Sequence, residues 1–171
     1  MTASSALDSF PVKNAGDEDI KTYWSAKTGN SGEWLMMDLQ DQYDVYAIQV
    51  NFAEHLTNLY GREKDNYFQY TIEYSADGMN WTKLIDKSKN RTDVPHDYVQ
   101  LNKPVKAQFL RLTNVHVPDG TFAIRDLRIF GKGSGNIPKM PAFTKWDRNP
   151  YNQRRLWLVW NAVPEATGYI I

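Results

Sequence analysis

Asn14, Asp17, Asp19 and Thr22 bring four oxygen-bearing side chains within nine residues. Calcium takes roughly six to eight oxygen ligands, mixing carboxylates, hydroxyls and backbone carbonyls, so a tight loop with two carboxylates and a threonine could supply most of a set. The same side chains could instead do no more than hydrogen-bond the turn that carries them. The three histidines, His55, His96 and His116, each sit in a loop. None has the i, i+4 spacing that sets two imidazoles on one face for zinc, so loop hydrogen bonding or contact with a bound ligand is the expectation.

Catalytic signatures are missing. There is no Gly-x-Ser-x-Gly elbow, no Gly-x-x-x-x-Gly-Lys phosphate loop, no His-Glu-x-x-His and no dinucleotide fingerprint. Two facing carboxylates suffice for glycoside hydrolysis, yet the carboxylates here fall mostly in the 14–22 loop or on strand positions that face solvent. Lys+Arg and Asp+Glu both number 20, which leaves no basic excess for nucleic acid or an anionic membrane surface. Cysteine is absent, excluding disulfides and thiolate metal sites. The longest apolar runs, such as 156–160, are far too short to span a bilayer. No signal peptide is visible after Met1, and a trimmed boundary would read the same way.

These loops need a rigid body, and the pattern that dominates the chain is period two. Ile48, Val50 and Phe52 alternate with Gln49 and Asn51, and Phe68, Tyr70, Ile72 and Tyr74 with Gln69, Thr71 and Glu73. Half-buried antiparallel strands look like this. Asp77-Gly78 follows, then 81–85, which predicts a hairpin. Further strands are expected at 34–39, 98–101, 109–113 and 124–130, and no stretch shows a helical stripe. Short strands at regular spacing imply an all-β sandwich or jelly roll. The longest connection, 54–66, mixes charge, aromatics and amides, and 25–32, 88–97 and 116–122 are further loops. Binding residues usually sit on such loops, above a rigid scaffold.

Three glycines, a serine and two prolines within residues 131–141 read as a linker. About thirty residues beyond it cannot enclose a core of their own. The expected organisation is therefore a sandwich at 1–131, a linker at 132–141 and a partial C-terminal β segment at 142–171.

The run Asn14-Ala-Gly-Asp-Glu-Asp-Ile-Lys-Thr-Tyr-Trp24, followed by Glu33-Trp-Leu-Met-Met-Asp-Leu39, resembles the entry signature of discoidin domains. These are also known as coagulation factor 5/8 type C domains and include carbohydrate-binding module family 32. Tyr74-Ser-Ala-Asp-Gly-Met-Asn-Trp81, Ala107-Gln-Phe-Leu-Arg-Leu112 and Asp126-Leu-Arg-Ile-Phe-Gly131 continue the match in order. The resemblance implies a discoidin-type jelly-roll β-sandwich, galactose-binding-domain-like, of about eight strands. It also implies a structural calcium at Asn14, Asp17, Asp19 and Thr22, closed by the Arg125 carbonyl and the Asp126 carboxylate. Glu18 stands where the family carries a glycine. If that position needs a positive backbone angle, a side chain there is strained.

The loop wording is similar to modules behind the catalytic domain of Bacteroides-type enzymes like glycoside hydrolase family 43, and 156–170 resembles the opening of a fibronectin type III repeat. By that resemblance the chain is a non-catalytic carbohydrate-binding or targeting module of a bacterial hydrolase that is secreted, periplasmic or on the cell surface. Its implied partners are an oligo- or polysaccharide and the catalytic domain of the same parent chain, with no nucleic acid and no membrane. The implied sugar contacts are Asp8, Lys27, Thr28, Glu54, His55 and Phe122, to which chemistry alone adds Tyr60 and Arg62. A sugar site needs an aromatic face and a few placed polar groups. The arginine that relatives place near Ala53 has no counterpart, and neither has an aromatic near Thr28, which leaves Tyr60 or Phe122 as platform. The alternative is a structural accessory domain that packs on the parent's catalytic domain. Adhesion to lipid or protein is disfavoured, since the 54–66 loop offers only Leu56, Leu59 and Tyr60 among charges and no basic cluster. Trp24, Trp34 and Trp81 are expected in the core, and Arg111 is expected to pair with a carboxylate on a neighbouring strand. Trp157 and Trp160 belong to the partial repeat. Residues 141–171, with strand edges exposed, are expected to dock on the sandwich, swap between molecules or stay mobile.

Overall fold

Apolar residues on every second position build strands. The computed structural model describes residues 1–59, 65–132, 142–149 and 152–163, and these include no α-helix. Residues 1–133 form one unit and 134–171 another. The first unit runs β1 (Thr2–Ala3), a 3-10 turn (Val12–Gly16), β2 (Trp24–Ser25), β3 (Trp34–Phe52), β4 (Gln69–Ser75), β5 (Thr82–Asp86), β6 (His96–His116) and β7 (Ala123–Lys132). The strand order is β2-β7-β3-β6-β4-β5 with β1 on β3, and every pairing is antiparallel.

A straight strand as long as β3 or β6 would run about 60 Å, far beyond the span of a domain this size, so both must bend. β3 does so where its register shifts, between Asp38 and Tyr43 and again between Val45 and Ala47, and Gln40 there takes φ 69°. Its first half pairs with β1 and the second half of β6. Its second half pairs with the first half of β6 and with β7. The two layers of the sandwich thus share two strands. The separate strands expected at 34–39, 98–101 and 109–113 are segments of these two, because alternation does not reveal whether the chain turns or bends between runs.

Leu35, Ile48, Val50, Ile72, Leu112 and Ile124 meet between the layers, essentially fully buried. Each contributes roughly 1.5–3 kcal/mol. Trp24 joins them, whereas Trp34 and Trp81 are only half-buried. Trp81 lies 4.3 Å under the Arg111 guanidinium. Arg111 in turn reaches Glu73, directly opposite it on β4, at 2.7 Å. The β4–β5 hairpin turns at Asp77-Gly78. Gly78 takes φ 74°, and the Asp77 carboxylate accepts the N–H groups of Met79 and Asn80 at 2.8 Å each. Those bonds, the Asn80 backbone first, hold Asp77 well below the usual carboxylate range. The buried Tyr70 hydroxyl donates to Asp97 at 2.8 Å, and Lys87 lies 3.2 Å from the same carboxylate. Burial, and then the Asp97 charge, push the Tyr70 hydroxyl far up.

In the second unit β8 (Phe143–Asn149) and β9 (Asn152–Trp160) form an antiparallel ladder. Trp160 is half-buried. The linker expected at 132–141 lies almost wholly outside the described residues, and so does the side chain of Trp157. No helix among the described residues is long and apolar enough to cross a membrane.

Candidate functional site

Four segments meet at one end of the sandwich, and main-chain hydrogen bonds knit them. Leu7 and Phe10 close a turn that is bonded on both sides to Ser25, through Leu7 N to Ser25 O at 3.0 Å and Ser25 N to Phe10 O at 3.2 Å. The next segment continues to Thr28, whose carbonyl accepts from Phe122 N at 3.0 Å, while Ala26 N donates to Phe122 O at 2.9 Å. From the loop after β3, the His55 carbonyl takes Thr121 N at 3.1 Å and Asn58 N donates to Asp119 at 2.8 Å. Two glycines permit this approach. A Cβ on Gly120, which has φ 71°, would stand 2.1 Å from the His55 oxygen, and one on Gly29 would stand 2.4 Å from the Gly120 oxygen.

This rim carries Asp8, Lys27, Thr28, Glu54 and His55. The first four are exposed and His55 is half-buried. The Thr28 hydroxyl donates to Glu33 at 2.7 Å. Glu33, which sequence reasoning passed over, also accepts from Ser5 at 2.9 Å and from Ser4. Burial opposes its charge, but the Ser4, Thr28 and Ser5 hydroxyls outweigh that and hold its carboxyl below the ordinary value. Phe122 must be corrected as a stacking platform. Its ring is fully buried and meets Trp24 edge-on at 5.6 Å, so it offers no face to a ligand. Tyr60 and Arg62 lie outside the described residues.

Phe10 and Tyr23 were also missed. Their rings stack at 4.5 Å, and His55 packs against Phe10 at 4.5 Å. The Tyr23 hydroxyl lies 2.9 Å from His55 Nδ1, and the Arg125 guanidinium is 6.0 Å from the Tyr23 ring centre. The stack fixes the imidazole at the rim. No local pattern could have announced a contact that spans 32 residues in sequence. The histidines do not share a site. His96 Nδ1 meets Asn51 at 3.1 Å on β3, and His116 packs on Tyr67 at 5.1 Å.

The calcium donor set implied by resemblance is split. Both Asp17 oxygens take the Thr22 hydroxyl, at 2.9 and 2.8 Å, and one also takes Asp19 N at 3.0 Å. The Asp19 N–H, and then the Thr22 hydroxyl, lower the Asp17 carboxyl from its ordinary value. Asp19 caps Lys21 N at 2.9 Å, and the Asn14 amide donates to Tyr23 O at 3.1 Å. Arg125 serves the loop through its guanidinium, which donates to the Ile20 carbonyl. Asp126 is turned to Asn51, at 3.4 Å, and to Arg128, at 3.6 Å. Among the described residues no three His, Asp or Glu side chains stand close enough to hold one ion.

With this geometry, the comparisons decide the family. Residues 1–126 match the F5/8 type C domain. The chain belongs to the F5/8 type C domain family. Bovine (Bos taurus) lactadherin is 26% identical over 120 residues, which is 65% of this chain and 27% of that protein. The chain therefore spans about a quarter of that curated relative. Three solved structures share the fold. The Clostridium perfringens module CpGH89CBM32-6 has TM-score 0.61 and 22% identity, covering 77% of this chain and 91% of its own. A family 32 carbohydrate-binding module of the same organism, in complex with galactose, has TM-score 0.60 and 18% identity over 75% and 90%. A Paenibacillus chitosan-binding module in complex with chitotriose has TM-score 0.63 and 19% identity over 76% and 94%. This F5/8 type C domain thus has the sandwich fold of these modules.

Proposed function

We propose that this domain is a non-catalytic carbohydrate-binding module that targets a secreted glycoside hydrolase to its glycan. One observation carries the reading. The rim gathers carboxylates, an ammonium, a hydroxyl and an oriented imidazole from three separate segments, which is the kind of polar set that reads sugar hydroxyls. The galactose and chitotriose complexes of the similar modules support the ligand class. His55, held by Tyr23 through Nδ1, presents Nε2 as its second polar atom. Residues 142–171 are then the start of a fibronectin type III-like repeat within a larger bacterial enzyme like those of family 43.

Titration calorimetry of the full chain against galactosides, xylo- and arabino-oligosaccharides and chitotriose tests this. Millimolar or tighter binding to one of them is expected, weakened at least tenfold by His55→Ala, a loss of about 1.4 kcal/mol. Silence across the panel, or binding indifferent to His55→Ala, would dismiss the rim as a sugar site.

A second reading has its own observation. Tyr46, Tyr98 and Phe130 are exposed on the second half of β3, on β6 and on β7, and the Tyr98 and Phe130 rings meet at 5.7 Å. An apolar sheet face of this kind suits packing against the catalytic domain of the parent. Under that reading Tyr98→Ser with Phe130→Ser leaves the glycan panel blank and weakens co-purification with that domain.

A further inference from the structure

Asp17, Glu18 and Asp19 put three carboxylates in a row, and β7 adds Asp126, whose side chain is 6% exposed. A carboxylate that deep needs a cation beside it, because an unpaired buried charge is costly. We propose that the Arg128 guanidinium, rather than a metal ion, is the cation that ties the acidic loop to β7, and that the loop holds its shape without calcium.

Position is the first argument. Arg128 Nη2 stands 2.8 Å from Glu18 Oε2 on the loop and 3.6 Å from Asp126 Oδ2 on the strand. It makes the loop-to-strand bridge that a bound ion would make. The second is backbone strain. Glu18 takes φ 60°, a conformation that costs any residue with a Cβ, and the ion pair with Arg128 offsets that cost only because a carboxylate is present. The third is the pattern of unpartnered atoms. Asp126 Oδ1 and Arg128 Nε are both buried without a hydrogen-bond partner. One is an acceptor and the other a donor, on residues that already form an ion pair. A metal ion would satisfy the oxygen alone and would be repelled by the guanidinium beside it. The fourth is that Asp17 already accepts from the Thr22 hydroxyl and Asp19 N–H, and one Asp19 oxygen from Lys21 N–H, while a second guanidinium, that of Arg125, takes the Ile20 carbonyl.

Thermal melts of the full chain, in excess chelator and then in millimolar calcium chloride, give the direct test, with terbium luminescence as a second probe of the loop. The two melting temperatures are expected to agree within about 1 °C, with no terbium signal above that of free ion. Arg128→Gln is expected to lower the melting temperature by at least about 4 °C in either buffer. Glu18→Gln is expected to lower it less, and the double variant no more than Arg128→Gln alone, as coupled partners do. A rise of several degrees with calcium, saturable terbium binding, or additive losses in the double variant would overturn the proposal. If Arg128→Gln fails to fold, the chelator comparison on the unaltered chain and Glu18→Gln still decide it.

Discussion

At Glu33 one half-buried carboxylate accepts hydroxyl protons from Ser4, Ser5 and Thr28 and ties β1 to the rim. Its folded pKa lies below the ordinary 4.5, so the unfolded chain binds this proton more readily than the folded one. The stabilisation is complete above that ordinary value and is lost as pH falls through the lower folded value. Melting temperatures measured from about pH 6 to pH 3 should therefore drop less steeply for Glu33→Gln than for the unaltered chain; equal slopes would mean that the three hydroxyls do not discriminate the charged form. Arg111 offers a contrast of a different kind. Its fork grips Glu73 while its flat face covers Trp81, and lysine reproduces the charge but neither contact. Arg111→Lys should cost about 1 kcal/mol in urea unfolding and shift Trp81 emission to the red. Lys83→Ala, which breaks an exposed pair with Asp86 at 3.0 Å, should leave the urea midpoint unchanged, because solvent screens the pair.

Connections, more than strands, determine whether the rim exists. Gly120 and Gly32 both have positive φ, 71° and 95°, but only Gly120 faces backbone, with the His55 oxygen 2.1 Å from its would-be Cβ; nothing lies within 4 Å of the one on Gly32. Gly32→Ala should thus cost only the conformational penalty of about 1 kcal/mol. Gly120→Ala must also push the His55 loop away and should cost about 3 kcal/mol, with loss of any glycan binding, as read by urea unfolding and calorimetry on the same samples. Sequence exposed the strands and the Asp77-Gly78 turn because those signals are local: alternation, and a dipeptide suited to φ above zero. That Arg111 pairs with a carboxylate on a neighbouring strand was also legible, but that the carboxylate is Glu73 was not, because the register that sets them opposite each other is fixed only in the folded sheet. Glu33, Phe10 and Tyr23 were not legible, because the partners that make them part of the rim, Ser4 and Ser5 for Glu33 and His55 for both rings, lie about 28 to 45 residues away and come close only in the folded sandwich. Phe122 misled for the same reason, since an aromatic at a loop end looks identical in sequence whether it faces solvent or Trp24.

For the whole molecule, the question is what holds the sandwich up. Its buried cluster is drawn entirely from residues 15–127, with the half-buried contributors around it from Ala3 to Ile129. All seven strands that enclose this cluster precede Gly133, where the first unit ends. A core that closes within one unit owes its burial free energy to that unit. A chain cut after residue 133 should therefore unfold cooperatively at the same urea midpoint as the full chain, within about 0.3 M, when followed by far-ultraviolet circular dichroism. It should also keep any glycan affinity, since every described rim residue lies within it. A midpoint lower by more than about 1 M would mean that residues beyond 133 supply part of the stability that the buried cluster is credited with here, and the sandwich would then no longer count as the independent scaffold on which the rim depends.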